Sequence, residues 1–225
     1  MRRRGESSPH WPAPVASMPL DPVAFAPVAI LAGSAALGCC MAWTWLWAAS
    51  GFLLLALGFF FRDPRRTPPG DPGAVVSPAD GLVLQTDVSH PPESGPDGGL
   101  CVAIFLSLFD THVNRVPADG VVVSVTRQPG SHFHARVKRA SKNSGSRIVF
   151  ECGGGRIVVR QIAGLLARRV ICRLAPGQSV RRGQRMGIIC FGSRAEVCLP
   201  GGAELAVVPG QRVKAGVTII AHLAN

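Results

Sequence analysis

Residues 176–183 read Pro-Gly-Gln-Ser-Val-Arg-Arg-Gly, and residues 209–216 read Pro-Gly-Gln-Arg-Val-Lys-Ala-Gly. A second element is doubled too: Pro78-Ala79-Asp80-Gly81 recurs as Pro117-Ala118-Asp119-Gly120, each leading into an apolar run. Proline presets the backbone at the first corner of a turn, and glycine supplies positive φ, so each motif reads as a turn between strands. Working outward, GLVLQTDV (81–88), LCVAIFLSL (100–108), GVVVSVTRQ (120–128), RIVFEC (147–152), RIVVRQIAG (156–164), RRVICRL (168–174) and MGIICFG (186–192) are short and β-branched. Gly and Pro turns punctuate them. The reading is a mainly β sandwich or barrel built from a pseudo-duplicated unit. An amphipathic helix is expected at most near Ala135 to Ser141.

The PGQxVxxG pattern resembles the hammerhead turns of lipoyl and biotinyl carrier domains. Those carriers attach their cofactor to a lysine at a hairpin tip in a Met-Lys-like context, which this chain lacks. The likeness therefore supports a fold and not a carrier function.

Three segments are expected: a tail over 1–22, an apolar anchor over 23–61, and a β domain over 62–225. The tail carries Arg2, Arg3 and Arg4 before a Pro/Ser-rich stretch that reads as disordered. From Val23 to Phe61 there is no charged residue. About 38 helical residues would span roughly 57 Å, nearly twice a bilayer core of ~30 Å. Two helices, about 24–42 and 45–61, fit better, with Trp43, Trp45 and Trp47 at an interface. Arginines flank both ends (Arg2 to Arg4; Arg62, Arg65 and Arg66), which points to a hairpin with its ends and the β domain on the cytoplasmic face of the cell membrane. A secretory signal peptide would have a shorter apolar region and a cleavage motif after it.

The 24 Lys and Arg against 13 Asp and Glu give a formal net charge of +11. Such a balance suits nucleic acid or an anionic membrane. With no tyrosine and no aromatics interleaved in the basic segments, the membrane is favoured. The seven cysteines (39, 40, 101, 152, 172, 190, 198) are odd in number and form no CxxC pair, which argues against a zinc site or a disulfide framework. Buried, reduced thiols in a cytoplasm-facing protein are expected. No metal constellation is evident, and Gly153 to Gly155 read as a hairpin turn.

The stretch Phe191-Gly192-Ser193-Arg194, between two β runs, admits two readings. One is a bulge or tight bend. The other is attack of the Ser193 hydroxyl on the Gly192 carbonyl, which glycine suits because it lacks Cβ and tolerates strain. His112 follows Asp110 by two residues. On an extended strand the two share a face, so the carboxylate could orient the imidazole. Asp80 reads equally as an Asp-Gly turn, because Asp119 occupies the same tetrapeptide. His132 and His134 flank Phe133 in a loop and stay unassigned; His10, His90 and His222 are weaker candidates.

In their order, FFRDPRR (60–66) after an apolar anchor, SPADG (77–81), FLSLFDTHVNRVPADG (105–120), RQIAGLLARRVICRL (160–174) and GQSVRRGQRMGIICFGSR (177–194) resemble the short phosphatidylserine decarboxylases of archaea and many bacteria. The resemblance covers about residues 55 to 222. One departure stands out: family members carry Lys-Ala-Ser and then an acidic Asn-Glu-Arg stretch, where this chain reads RASKNSGSR at 139–147, leaving Arg147 for the arginine position. The resemblance implies that Ser193, deprotonated by His112 with Asp80 orienting the ring and Asp110 in support, forms an ester with Gly192. β-Elimination then leaves a β chain (1–192) and an α chain (193–225) that starts with a pyruvoyl group. That covalent cofactor, without metal or pyridoxal phosphate, would form a Schiff base with phosphatidylserine, lose carbon dioxide and, with His112 as proton donor, release phosphatidylethanolamine. The partners implied are phosphatidylserine in the membrane, an anionic lipid surface and the two chains of one precursor. Self-association stays open and nucleic acid is not expected. Arg62, Arg65, Arg66, Arg168 and Arg169 could face anionic lipid or simply form a solvated face. The alternatives are a lipoyl-like membrane adaptor without activity, and a serine hydrolase using Ser193 on an external substrate. The first predicts coiled-coil heptads, and the second a GxSxG elbow; neither occurs.

Overall fold

The computed structural model describes residues 20–41, 43–89, 99–131, 133–137, 140, 142–164, 170–190 and 192–224. The expected tail thus lies almost wholly outside the described residues, as do His10, His90, His132, Phe191, Arg168 and Arg169. The β-rich runs fold into strands β1 (Ala74–Val76), β2 (Gly81–Ser89), β3 (Gly99–Leu106), β4 (Val113–Arg115), β5 (Gly120–Gln128), β6 (Gly145–Cys152) and β7 (Gly155–Ile162). They continue as β8 (Val170–Cys172), β9 (Ser179–Val180), β10 (Arg185–Ile189), β11 (Ser193–Cys198), β12 (Glu204–Leu205), β13 (Arg212–Val213) and β14 (Ile219–His222). One sheet runs β13-β2-β3-β11-β7-β6-β5-β9, and two small sheets run β1-β14-β12 and β4-β10-β8. The large sheet stays open, with β13 and β9 at its edges, so the architecture is mainly β without a closed barrel.

The sheet orders expose the duplication. Reading the large sheet from either end gives matching roles: β13 with β9, β2 with β5, β3 with β6, and β11 with β7 at the centre. The outer half (β1–β3 and β11–β14) is therefore interrupted by the inner half (β4–β10). The repeated turns serve the same duty in both. Asp80 Oδ1 accepts from the Ala215 N–H at 2.7 Å, and Asp119 Oδ1 from the Arg182 N–H at 2.8 Å. The Gly216 N–H donates to Ser77 O, and the Gly183 N–H to Val116 O, each at 2.8 Å. Gly216 and Gly183 have φ of 70° and 77°, which glycine adopts without penalty. Between the layers lies one core cluster that includes Ile104, Leu106, Phe150, Val159, Met186 and Val197.

Helices α1 (Phe25–Cys40) and α2 (Thr44–Phe60) form the expected hairpin. They pack through small residues. Ser34 and Ser50 hydroxyls lie 2.9 Å apart, and a Cβ added to Gly38 would stand 2.8 Å from the Trp47 nitrogen. The stretch Pro22–Cys40, with mean hydropathy 2.0, is by length and composition long and apolar enough to cross a membrane. The two ends of the hairpin are tied to each other, the Asp21 N–H donating to Phe61 O, and to the β domain, Asp21 taking two bonds from Arg173 at 2.6 and 2.7 Å. The linker is pinned as well, because Arg115 and Arg185 both pair with the buried Asp63 carboxylate.

Three expectations are corrected. No α-helix forms among the described residues of 135–141: residues 135–137 turn or bend and Ala140 has 3-10 geometry; Asn143 instead bonds Phe133 N, Phe133 O and Ala163 O and fastens this loop. The thiols are neither uniformly buried nor uniformly reduced. Cys39 and Cys40 are exposed on the hairpin, and Cys101 and Cys198, directly opposed on β3 and β11, form a disulfide. Arg66 is no free lipid-facing cation, since its guanidinium meets Asp80 at 2.7 Å in a largely buried pair; Arg65 is exposed.

Candidate active site

Where the inner half is spliced into the outer half, the chain leaves β3 after Leu106 and returns at Ser193, and those two residues face each other across the β3–β11 ladder. The outgoing connector ends at His112, just before β4. The incoming one starts after Ile189, at the end of β10. Strands β4 and β10 also pair, and the Ile189 N–H reaches the His112 carbonyl at 3.3 Å. Topology therefore brings His112 and the Gly192–Ser193 peptide, far apart in sequence, to one seam. Gly192 has φ of +61°, the left-handed region that favours glycine, with no atom beyond its chain neighbours within 4 Å of where a Cβ would stand, and its carbonyl has no side chain of its own beside it. Ser193 is fully buried, and its Oγ has no hydrogen-bond partner.

His112 is also fully buried, its ring 4.0 Å from that of Phe60 at the end of α2. Neither imidazole nitrogen makes a hydrogen bond of normal geometry. Burial pushes its pKa from 6.5 down to about 4; the Asp110 backbone and the charges of Asp110 and Asp80 act the other way, and Arg62 adds to the lowering. At neutral pH the ring is therefore an uncharged base. Asp80 does not orient it by a hydrogen bond, because its two oxygens are taken by Arg66 and the Ala215 N–H. The shared strand face expected for Asp110 and His112 is corrected too. Residues 107–112 are a turn and connector, and Asp110 Oδ2 accepts from Ser107 N–H and Oγ at 2.8 and 2.6 Å.

The seam holds two residues that sequence reading passed over. Asn114 and Gln161 are fully buried, and the Gln161 amide donates to Asn114 Oδ1 at 2.7 Å, leaving Asn114 Nδ2 and Gln161 Oε1 without partners. Gln161 opposes Ala195 in the β7–β11 ladder, so strand alternation puts its side chain on the face that Ser193 uses. Buried polar atoms are nearly always paired, and a group of orphans in one place marks a site. The signal available beforehand was only that Asn114 stands two residues after His112. His134 belongs elsewhere: it stacks near Phe105, with ring centroids 6.3 Å apart, on an exposed loop.

The phosphatidylserine decarboxylase family model matches residues 53–221. Relatives named phosphatidylserine decarboxylase proenzyme include that of Ruegeria pomeroyi, 42% identical over 187 residues that cover 79% of this chain and 85% of that protein. That of Pelobacter propionicus is 44% identical over 176 residues (76% and 80%), and that of Gluconacetobacter diazotrophicus 40% over 206 residues (88% and 92%). Across the seam, the doubled turns and the hairpin base, the chain belongs to the phosphatidylserine decarboxylase family.

Proposed function

We propose that the chain cuts itself between Gly192 and Ser193 and, with a pyruvoyl group made from Ser193, decarboxylates phosphatidylserine to phosphatidylethanolamine at a membrane. The observation that carries this reading is the buried, unpartnered Ser193 hydroxyl beside a positive-φ glycine carbonyl, at the seam that also holds a neutral buried histidine. His112 takes the Oγ proton as the oxygen attacks the Gly192 carbonyl. Asn114 Nδ2 is the buried donor for the charge that builds on that carbonyl oxygen. Collapse breaks the Gly192–Ser193 C–N bond, leaving an ester and a free amine. Loss of the Ser193 Cα proton then expels the Gly192 carboxylate, and water releases ammonia from the remaining dehydroalanine. The resulting pyruvoyl carbonyl supplies an electron sink for the departing carbon dioxide. In turnover His112 delivers a proton to the substrate carbon. Asp80 acts on the ring through its charge and through the turn it caps, not by direct contact. The hairpin holds the domain at the bilayer, and the basic residues at its ends favour the cytoplasmic face.

Intact mass of the reduced wild type and of Ser193→Ala tests this. Reduction is needed because Cys101 and Cys198 would fall on different chains. The wild type should give chains 1–192 and 193–225, the smaller resistant to Edman chemistry, and the variant a single chain. An uncut wild type would remove the electron sink and leave Ser193 as a hydrolase nucleophile at best.

A further inference from the structure

The turn between β3 and β4 carries two apolar side chains with no cover: Leu108 is 45% exposed and Phe109 77%. Asp110 closes this turn from below through Ser107, so the tip is a built feature. It is also tied to the hairpin. The Arg62 guanidinium donates to Phe109 O at 2.6 Å and to Phe59 O at 2.5 Å, and lies 3.9 Å over the Phe59 ring. The tip therefore sits level with the last turn of α2, whose Phe52, Leu55 and Phe59 are exposed as well. Cations flank it: Arg62, and Arg212, which pairs with Asp110 at 3.2 Å. Apolar groups flanked by basic ones match the boundary between acyl chains and anionic headgroups.

We propose that Leu108 and Phe109 form a second membrane contact, inserting into the lipid interface beside the hairpin and seating the seam, three residues further on at His112, against the bilayer surface. This rests on the hairpin meeting lipid. The test places a photoactivatable benzoylphenylalanine at Phe109, at Leu55 on α2, and at Val121, which opposes Glu151 near the far end of the large sheet. The full chain is illuminated in vesicles of phosphatidylethanolamine and phosphatidylglycerol. Lipid adducts at 55 and 109 but not at 121 are expected. An adduct at 55 with none at 109 overturns the tip contact alone; none at either overturns it together with the membrane reading of the hairpin. Phe109→Asp should raise KM for vesicle-borne phosphatidylserine about tenfold, the scale of one aromatic side chain losing its burial, with kcat on a dispersed short-chain substrate unchanged. An unaltered KM on vesicles would also overturn the proposal.

Discussion

The two halves build the same corner twice and use it differently. In the inner half, β6 and β7 meet in the closed hairpin Cys152-Gly153-Gly154-Gly155; in the outer half, the equivalent β3–β11 junction is opened to admit seventy-odd residues of the other half. The closed corner keeps a cleft of ≈ 310 Å³ lined by Gly73, Asp119, Cys152, Gly154, Arg182 and Leu223 among others. Gly73 precedes β1 as His112 precedes β4, and Gly154-Gly155 lead into β7 as Gly192-Ser193 lead into β11. Asp119 matches Asp80. The cleft's one sulfur is inert, since burial, then Glu151 and Asp119, push the Cys152 thiol up to about 12. The shared aspartate thus caps the same turn in both halves, and what the seam adds is the histidine on which the Asp80 charge acts, the serine, and the cover that Phe60 gives.

The comparison breaks most sharply at His112. His112→Gln keeps a buried polar side chain but removes the base, so self-cleavage, followed by gel or mass spectrometry, should slow by about 10²–10⁴. Gly73→Ala, at the matching place, should leave cleavage at the wild-type rate. The same histidine predicts a pH signature in the uncleaved Ser193→Ala precursor. Unfolded, it binds its proton near 6.5; folded, near 4. Between those values the unfolded chain holds the extra proton, so stability is complete above pH 6.5 and falls as pH drops toward 4. The shift corresponds to roughly 3 kcal/mol at most. Denaturant melts across that window should show the slope, and His112→Phe should flatten it.

Next in size is the aspartate pair. Asp80→Asn and Asp119→Asn each weaken one turn cap. Only the first also unbalances Arg66 and removes a charge acting on His112. Loss of a charge-assisted bond is worth about 1.5–3 kcal/mol, so Asp80→Asn should slow cleavage some ten- to a hundredfold. Asp119→Asn should alter melting alone. Equal slowing by both would reduce Asp80 to scaffold.

What could be read in the chain, and what could not, follows the same division. The doubled turns were legible because Pro-Gly-Gln and Ala-Asp-Gly encode local backbone geometry, and the hairpin because an uncharged run has few alternatives. The nesting was not, since it depends on Leu106 finding Ser193 across 87 positions, which no local pattern records. Asp110 was misplaced for a related reason: the i, i+2 rule holds on strands, and the chain turns there instead. Asn114 and Gln161, 47 positions apart, acquire meaning only once β4 and β7 meet.

That amide pair gives the finest test. Asn114 is the middle residue of β4, where β1 has Val75; counted from the strand start, Gln161 in β7 corresponds to Leu199, just past β11. The closed corner is thus apolar where the seam is polar, and both Val75 and Leu199 are fully buried. Converting the seam to its counterpart with Asn114→Val and Gln161→Leu together removes both partners, a change that can be close to neutral for stability. Either substitution alone strands a buried amide and should cost about 1–3 kcal/mol. If the pair exists for packing, the double variant cleaves at the wild-type rate. If it steadies charge on the Gly192 carbonyl, the double variant melts normally yet cleaves about tenfold more slowly, the scale of one lost hydrogen bond. A normal rate would narrow the functional difference between the halves to His112, Ser193 and the positive-φ glycine before it.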